Sequence, residues 1–272
     1  MNPLTRIIPV PRLTPSPPYA TTGIQANEIA LGFLQIRTLP SGPWNDPTAS
    51  GLGAFEKEAL IEQWGVPSRH EWLEMIEYLT TVRRRRTHWM LHLGARNDLA
   101  VSLGRVPRAR EWLDAIVEDH GDAGGARGAR DFVAAIERVE SEVRRRVGTE
   151  TVTPEVFVRT LDGYAVGQAV AMVTWGVALG FADVGEARQL IHRINIDARR
   201  AFTSWADFGL SYLAGRVMHW SDGVVDEDSF ELYGEGWIDM KTALSGKRGG
   251  PWATLPWTLP GADRLPGHPA GP

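Results

Sequence analysis

Apolar positions recur at helical spacing along most of this chain, and nowhere do they alternate as a series of strands would. The first patterned segment follows Thr22, a candidate cap, and uses Ile24, Ile29, Leu31, Phe33 and Leu34 on the way to Arg37. Pro40, Gly42, Pro43, Asn45, Asp46 and Pro47 then mark a loop through residue 53. The spacing predicts a helix over 54–64, closed by Gly65 and Pro67. Ser68 and Glu71 form a capping box for the next one, which carries Trp72, Met75, Ile76, Leu79 and Val82. A further helix is expected over 86–93. Another follows Pro107, with Trp112, Leu113, Ile116 and Val117 as its apolar stripe.

The glycine-rich run GDAGGARG, 121–128, reads as a hinge or exposed loop. A helix starting near Asp131 should bury Phe132, Val133, Ile136, Val139 and Val143 and stop near Gly148. Thr153 with Pro154 predicts a new helical start that leads through Val156, Phe157 and Leu161 into residues 163–182. That last stretch is polar only at Gln168 and Thr174 and is long enough for a bilayer crossing. Its pairs Gly163/Gly167 and Gly176/Gly180 would let helices approach closely in either setting. Nearly half of it is Gly and Ala, however, and no positive cluster adjoins it, so the expectation is a helix buried in a soluble bundle. Two strongly patterned helices follow over 186–202 and 205–220, the second capped by Ser204 with Asp207 three positions on. Short helices are expected over 224–233 and 236–244. Trp252 and Trp257, in the turn PWATLPW, should strap the chain's end across the body.

The fold class that results is all-α: a compact multi-helix orthogonal bundle with Pro-rich terminal arms. Residues 1–21 form the N-terminal arm, 22–120 and 129–257 form two helical parts packed as one body, and 258–272 form a flexible tail. PSRHEWLEMI at 67–76 and PRAREWLDAI at 107–116 match at several positions. Proline and acids suit a first helical turn and Trp/Leu/Ile a buried stripe, so the likeness needs no duplication.

Composition changes this picture in three ways. Eleven tryptophans in 272 residues supply rings that bury large apolar area while each N–H seeks one acceptor, which fixes how helices dock. A formal charge of −4 gives no general electrostatic reason to seek nucleic acid or an anionic membrane, although only Lys57, Lys241 and Lys247 among the 29 basic residues are lysines. The absence of cysteine excludes disulfides, thiol nucleophiles and thiolate metal sites. The proline-rich opening lacks the apolar core of a secretory signal, so a cytoplasmic location is expected.

Candidate chemistry is sparse. His88 and His92, at i,i+4, could hold zinc with Asp98 or a distant residue, but Trp89 stands where a His-Glu-x-x-His motif needs its glutamate, and surface or packing roles are expected. No metal or other cofactor is expected. Arg83–Arg86 is the only dense basic run; a solvated helix end favoured by the dipole is expected, with phosphate contact as the alternative. The best polar constellation is Tyr212, Arg216 and His219, at i, i+4 and i+7 on one helix face, as binding residues. Asp183, His192 and Asp197 on the preceding helix and turn are the catalytic candidates, an acid or imidazole acting as base with an arginine as anion clamp. The structural alternative is an inter-helix polar network with Tyr212 half-buried and Arg216 paired to an acid. No nucleophile motif or Gly-rich phosphate loop accompanies the set.

Three pieces carry a family resemblance: LIEQWGVPSRHEWLEMIEYL at 60–79; the segment 175–220 with its Trp-Gly, Gly-Phe, Glu-Ala, Ser-Trp and Tyr-Leu-Ala-Gly-Arg landmarks; and PWATLPW at 251–257. In these the chain resembles the bacterial family DUF1266, a domain of unknown function. The resemblance implies a helical domain from about Leu31 onward and no chemistry to transfer. Members often carry arginine and asparagine where this chain has Gln168, Ala171 and Thr174, which implies that a polar site supported there elsewhere is weakened or absent here. The functional expectation is a non-enzymatic protein-binding or regulatory module with an unidentified protein partner. The alternative is a small-molecule enzyme with a polar pocket formed by the helices around 183–220.

Overall fold

Residues 13–120 and 123–258 are described by the computed structural model, and all regular structure among them is helical. In chain order the helices are α1 (Gly23–Ile29), α2 (Phe33–Ile36) after a 3₁₀ turn (Ala30–Gly32), α3 (Ala54–Trp64) and α4 (Arg69–Thr81). Next come α5 (Thr87–Leu103), α6 (Ala109–His120), α7 (Ala123–Val147) and α8 (Asp162–Ala178). The chain continues through α9 (Val184–Ala201), α10 (Trp205–Trp220), α11 (Glu227–Tyr233), α12 (Trp237–Ala243) and α13 (Pro251–Thr254).

Helix α8 is the axis, because small side chains let its neighbours come close on every side. It is buried from Asp162 to Gly176, against α4, α9, α10 and the 3₁₀ turn. A methyl group at Gly163 would lie 2.7 Å from the Tyr212 backbone nitrogen, and one at Gly167 would meet the Tyr212 ring at 2.8 Å. The Trp72 indole covers Gly176 and donates its N–H to the Met172 carbonyl at 2.8 Å. Gly180, at φ +78°, turns the chain away after Ala178, so the helix is shorter than the apolar run suggests. No helix among the described residues is long and apolar enough to cross a membrane.

Indole N–H groups fasten the remaining elements. Trp112 donates to the His92 carbonyl, Trp205 to Leu255, Trp252 to Ala30 and Trp257 to Phe202, all at 2.8–2.9 Å. The C-terminal strap is thus tied both to α10 and to the first helices. Trp252 lies parallel to Trp205 (centroids 5.3 Å, 9°), and Trp257 meets Trp205 edge-on at 5.0 Å. Caps behave as their residue types require: Ser204 accepts from Asp207 N at 3.1 Å, and Ser68 from His70 N at 3.1 Å. Thr22, by contrast, makes no side-chain capping bond.

Four boundaries differ from the periodicity. The single helix expected over 22–37 is broken by the 3₁₀ turn, where Gly32 packs on Val170. Helix α5 runs ten residues beyond its expected end at 93, because Arg96 fills a core position and hides the apolar repeat. Residues 123–128 belong to α7 rather than to a hinge, so that helix begins well before Asp131; residues 121–122 lie outside the described ones. The segment after Thr153 makes one turn and then runs without helix to Leu161. Its backbone groups serve distant partners instead, with Val158 N–H donating to Glu140 at 2.7 Å and the Arg159 carbonyl accepting from Asn97 at 3.0 Å. Residues 1–12 of the expected arm and 259–272 of the expected tail also lie outside the described residues.

Candidate functional site

The four arginines after α4 do not form a solvated helix end. The helix stops at Thr81, and Arg83 and Arg84 each adopt φ +54°. A left-handed backbone costs an L-residue roughly 1–2 kcal/mol, and two such residues in a row persist only where surrounding contacts impose them. The consequence is that neighbouring side chains go opposite ways. Arg83 and Arg85 grip Asp162 at the start of α8, at 3.1 and 2.5 Å. Burial pushes the Asp162 carboxyl up, but Arg85 and Arg83 together hold it below its ordinary value. Arg86 pairs with Asp222 and lies over the Trp89 ring at 4.2 Å.

Arg84 is left for a different surrounding. It lines a pocket of about 570 Å³, within the range of roughly 300–1,000 Å³ typical of small-ligand sites. Its Nε donates to Gln168 Oε1 at 2.8 Å, and its guanidinium stands 5.7 Å from the Trp64 ring and 5.9 Å from the Tyr164 ring. Among the described residues no carboxylate lies within ion-pair distance of it. Arg199 also lacks such a carboxylate, but its guanidinium donates to the Trp257 and Asn27 carbonyls and to the Asn27 and Asn195 side chains. Arg84, by contrast, has only Gln168 Oε1 and His219 Nε2 as side-chain acceptors among the described residues, fewer than its five N–H donors.

The other polar groups of the pocket point the same way chemically. Arg216 donates through Nε to the Tyr233 carbonyl at 3.0 Å, and its only ion pair among the described residues is the exposed Glu235, at 3.4 Å. The Tyr164 oxygen accepts from Trp220 Nε1 at 2.9 Å. Burial raises the Tyr164 pKa, so its O–H proton stays in place for donation. The cavity is thus lined by donors from Arg84, Arg216 and Tyr164, with the exposed Glu235 carboxylate beside Arg216 as its acidic group.

Residues singled out by sequence spacing are distributed unevenly. Arg216 lines the pocket, whereas Tyr212 is fully buried and donates its hydroxyl to Gln35 Oε1 at 2.7 Å. Burial holds that phenol neutral, and it supports a pocket residue from behind. His219 is half-buried, with Nε2 3.3 Å from Arg84 Nη1. A guanidinium only donates, so Nε2 accepts and the ring is neutral, in keeping with a pKa lowered by burial and then by Arg84 and Arg86. Replacing Arg84 by Gln removes one of those cations, so the His219 pKa should rise toward its ordinary 6.5 in an NMR titration. An unmoved or lower value would deny their contact.

The catalytic candidates do not converge. Asp183 caps α9 by accepting from Glu186 N, exposed His192 pairs with Glu28 at 2.5 Å, and exposed Asp197 stands 3.9 Å from Arg83. None of the three lines the pocket. His88 is exposed while His92 is buried edge-on to Phe132 at 5.1 Å, and no group of three metal-capable side chains occurs among the described residues. Gln168 reaches Arg84, but Ala171 is buried and Thr174 returns its hydroxyl to the Ala171 carbonyl. Spacing gave no sign of Gln35, Tyr164 or Trp220 as site residues. The available signal was the presence of amides on otherwise apolar helices.

A larger cleft of about 950 Å³ borders Arg83 and Arg85. Its arginines are already matched to acids: Arg83 and Arg85 to Asp162, Arg105 to Glu111 and Arg159 to Asp207. It offers less free charge than the smaller pocket.

The sequence profile of a family described as "Protein of unknown function (DUF1266)" matches residues 59–257. No curated protein and no solved structure shows a significant match. The matched stretch takes in Arg84, Tyr164, Gln168, Arg216 and Trp220, and leaves Gln35 and the first helices outside. Matching most of its 272 residues in this way, the chain belongs to the DUF1266 family.

Proposed function

We propose that the protein is a binding module for a small organic anion, taken up between Arg84 and Arg216. The observation that carries this reading is Arg84 itself: a partly buried cation without a carboxylate among the described residues, aimed into a cavity. A guanidinium without a counter-charge only donates, so an acceptor-only ligand matches it through charge-assisted hydrogen bonds. Tyr164 and Arg216 add donors at the same place. This reading keeps the non-enzymatic binding part of the sequence-based expectation and proposes a pocket rather than a protein surface as the recognition element.

Thermal unfolding of the full chain against a panel of organic acids and their uncharged amides tests it. An acid present at about 100 times its Kd should add about 2.7 kcal/mol of stability and raise Tm, while the matching amide should not. Arg84→Gln should keep the helical circular dichroism and lose the ligand-induced shift. A panel in which no acid raises Tm, or in which Arg84→Gln responds like the parent, would overturn the proposal.

A further inference from the structure

We infer that the anionic group taken by this pocket is carried on a flat aromatic ring, a proposal that rests on the anion reading and narrows it. Donors alone would suit any carboxylate or phosphate. The walls are more selective. Trp64 and Trp220 both border the cavity beside Arg84 and Tyr164, and Tyr233 closes the same side.

Trp220 is the unusual member. It remains 51 % exposed although α10 places most of its aromatic residues in the core. Yet its ring is held. Its N–H is committed to the Tyr164 oxygen, Tyr233 lies nearly parallel to it (23°, centroids 6.4 Å), and His219 packs edge-on at 5.2 Å. An exposed indole fixed from three sides presents a rigid apolar plane next to a row of donors. Trp64 adds a second indole, itself tilted 59° against buried Trp175 at 5.9 Å. Leu39 and exposed Leu232 complete an apolar border.

A ligand with only an anionic group would satisfy Arg84 and leave these faces wet. A flat ring bearing the anion would cover indole surface while its oxygens reach the guanidinium, gaining from stacking as well as charge. The cavity of about 570 Å³ has room for a ring and its head group together. The shared chemistry is a planar ring with a terminal oxyanion, and carboxylate and phosphate versions are separated by the experiment.

Isothermal titration of the full chain should use four probes: naphthoate, its saturated counterpart decalincarboxylate, phenyl phosphate and cyclohexyl phosphate. For the preferred head group, the flat member should bind about tenfold tighter than the saturated one, as stacking of about 1 kcal/mol or slightly more implies. Trp220→Leu should bring that ratio to about twofold or less while retaining the saturated probe, and Arg84→Gln should abolish both. Equal affinity of flat and saturated probes in the parent would overturn the inference and leave the anion pocket standing. A ratio unchanged in Trp220→Leu would overturn it too, because the assigned face would not be the one that discriminates. Failure of all four probes to bind would remove the anion reading and this inference with it.

Discussion

Glu140→Gln should cost about 3–5 kcal/mol in urea denaturation, the largest loss expected from any single polar change in this protein. Glu140 and Arg96 bridge α7 and α5 with side chains 4 % and 2 % exposed. The Arg96 guanidinium meets both carboxylate oxygens, at 2.6 and 3.2 Å, and stands 4.5 Å from the Trp112 ring and 5.0 Å from the Phe157 ring. Glu140 also accepts the Val158 N–H, which holds the non-helical segment before α8 in place. Removing the negative charge therefore strands a buried cation and weakens the anchor of that segment at once. Breaking one partner is the expensive operation; removing both is not. The double variant Arg96→Met, Glu140→Met should recover much of the loss. A single variant within about 0.5 kcal/mol of the parent, the range of an ordinary surface substitution, would show that the pair is not desolvated as described.

Trp205→Ala should cost a similar roughly 3–5 kcal/mol, for a different reason. The ring is the meeting point of the C-terminal strap: it stacks on Trp252, meets Trp257 edge-on, and lies 4.5 Å from the Arg199 guanidinium. Its N–H also ties down the Leu255 carbonyl. Truncation leaves a cavity among rings too large to collapse into it. Ser204→Ala, one residue earlier, removes only the bond to Asp207 N and should cost about 1 kcal/mol. Equal losses from the two, read from denaturation midpoints at constant m, would reject this division between packing and capping.

The parts of the fold legible in the sequence are those where one rule acts alone. Ser68 and Ser204 name their helices because a hydroxyl before an apolar stripe has one good use. The Ala/Gly run of α8 reads as a buried helix because only close neighbours benefit from missing side chains. Legibility fails where a polar residue stands in an apolar place. Arg96 occupies a core position of α5, so the apolar repeat breaks off at 93 although the helix continues. The pocket fails for the same kind of reason. Spacing placed Tyr212, Arg216 and His219 on one face, but angular position says nothing about depth: Tyr212 faces the bare backbone of Gly167, while Arg216 reaches the C-terminal end of α11. Arg84 was legible as an arginine and not as a ligand-facing one, because its direction is set by two left-handed residues that no periodicity encodes.

The C-terminal strap has a further consequence, for where this protein can be cut. The stretch that carries the family likeness starts at residue 59, yet Trp252 donates to the Ala30 carbonyl and Asn27 to that of Pro256. The kinship unit and the folding unit are thus of different lengths. A chain trimmed to 59–257 would keep every landmark by which the family is recognised. It would lose the acceptor beneath Trp252, the Phe33 ring that packs 6.0 Å from it, and the Gln35 amide on which the Tyr212 hydroxyl ends.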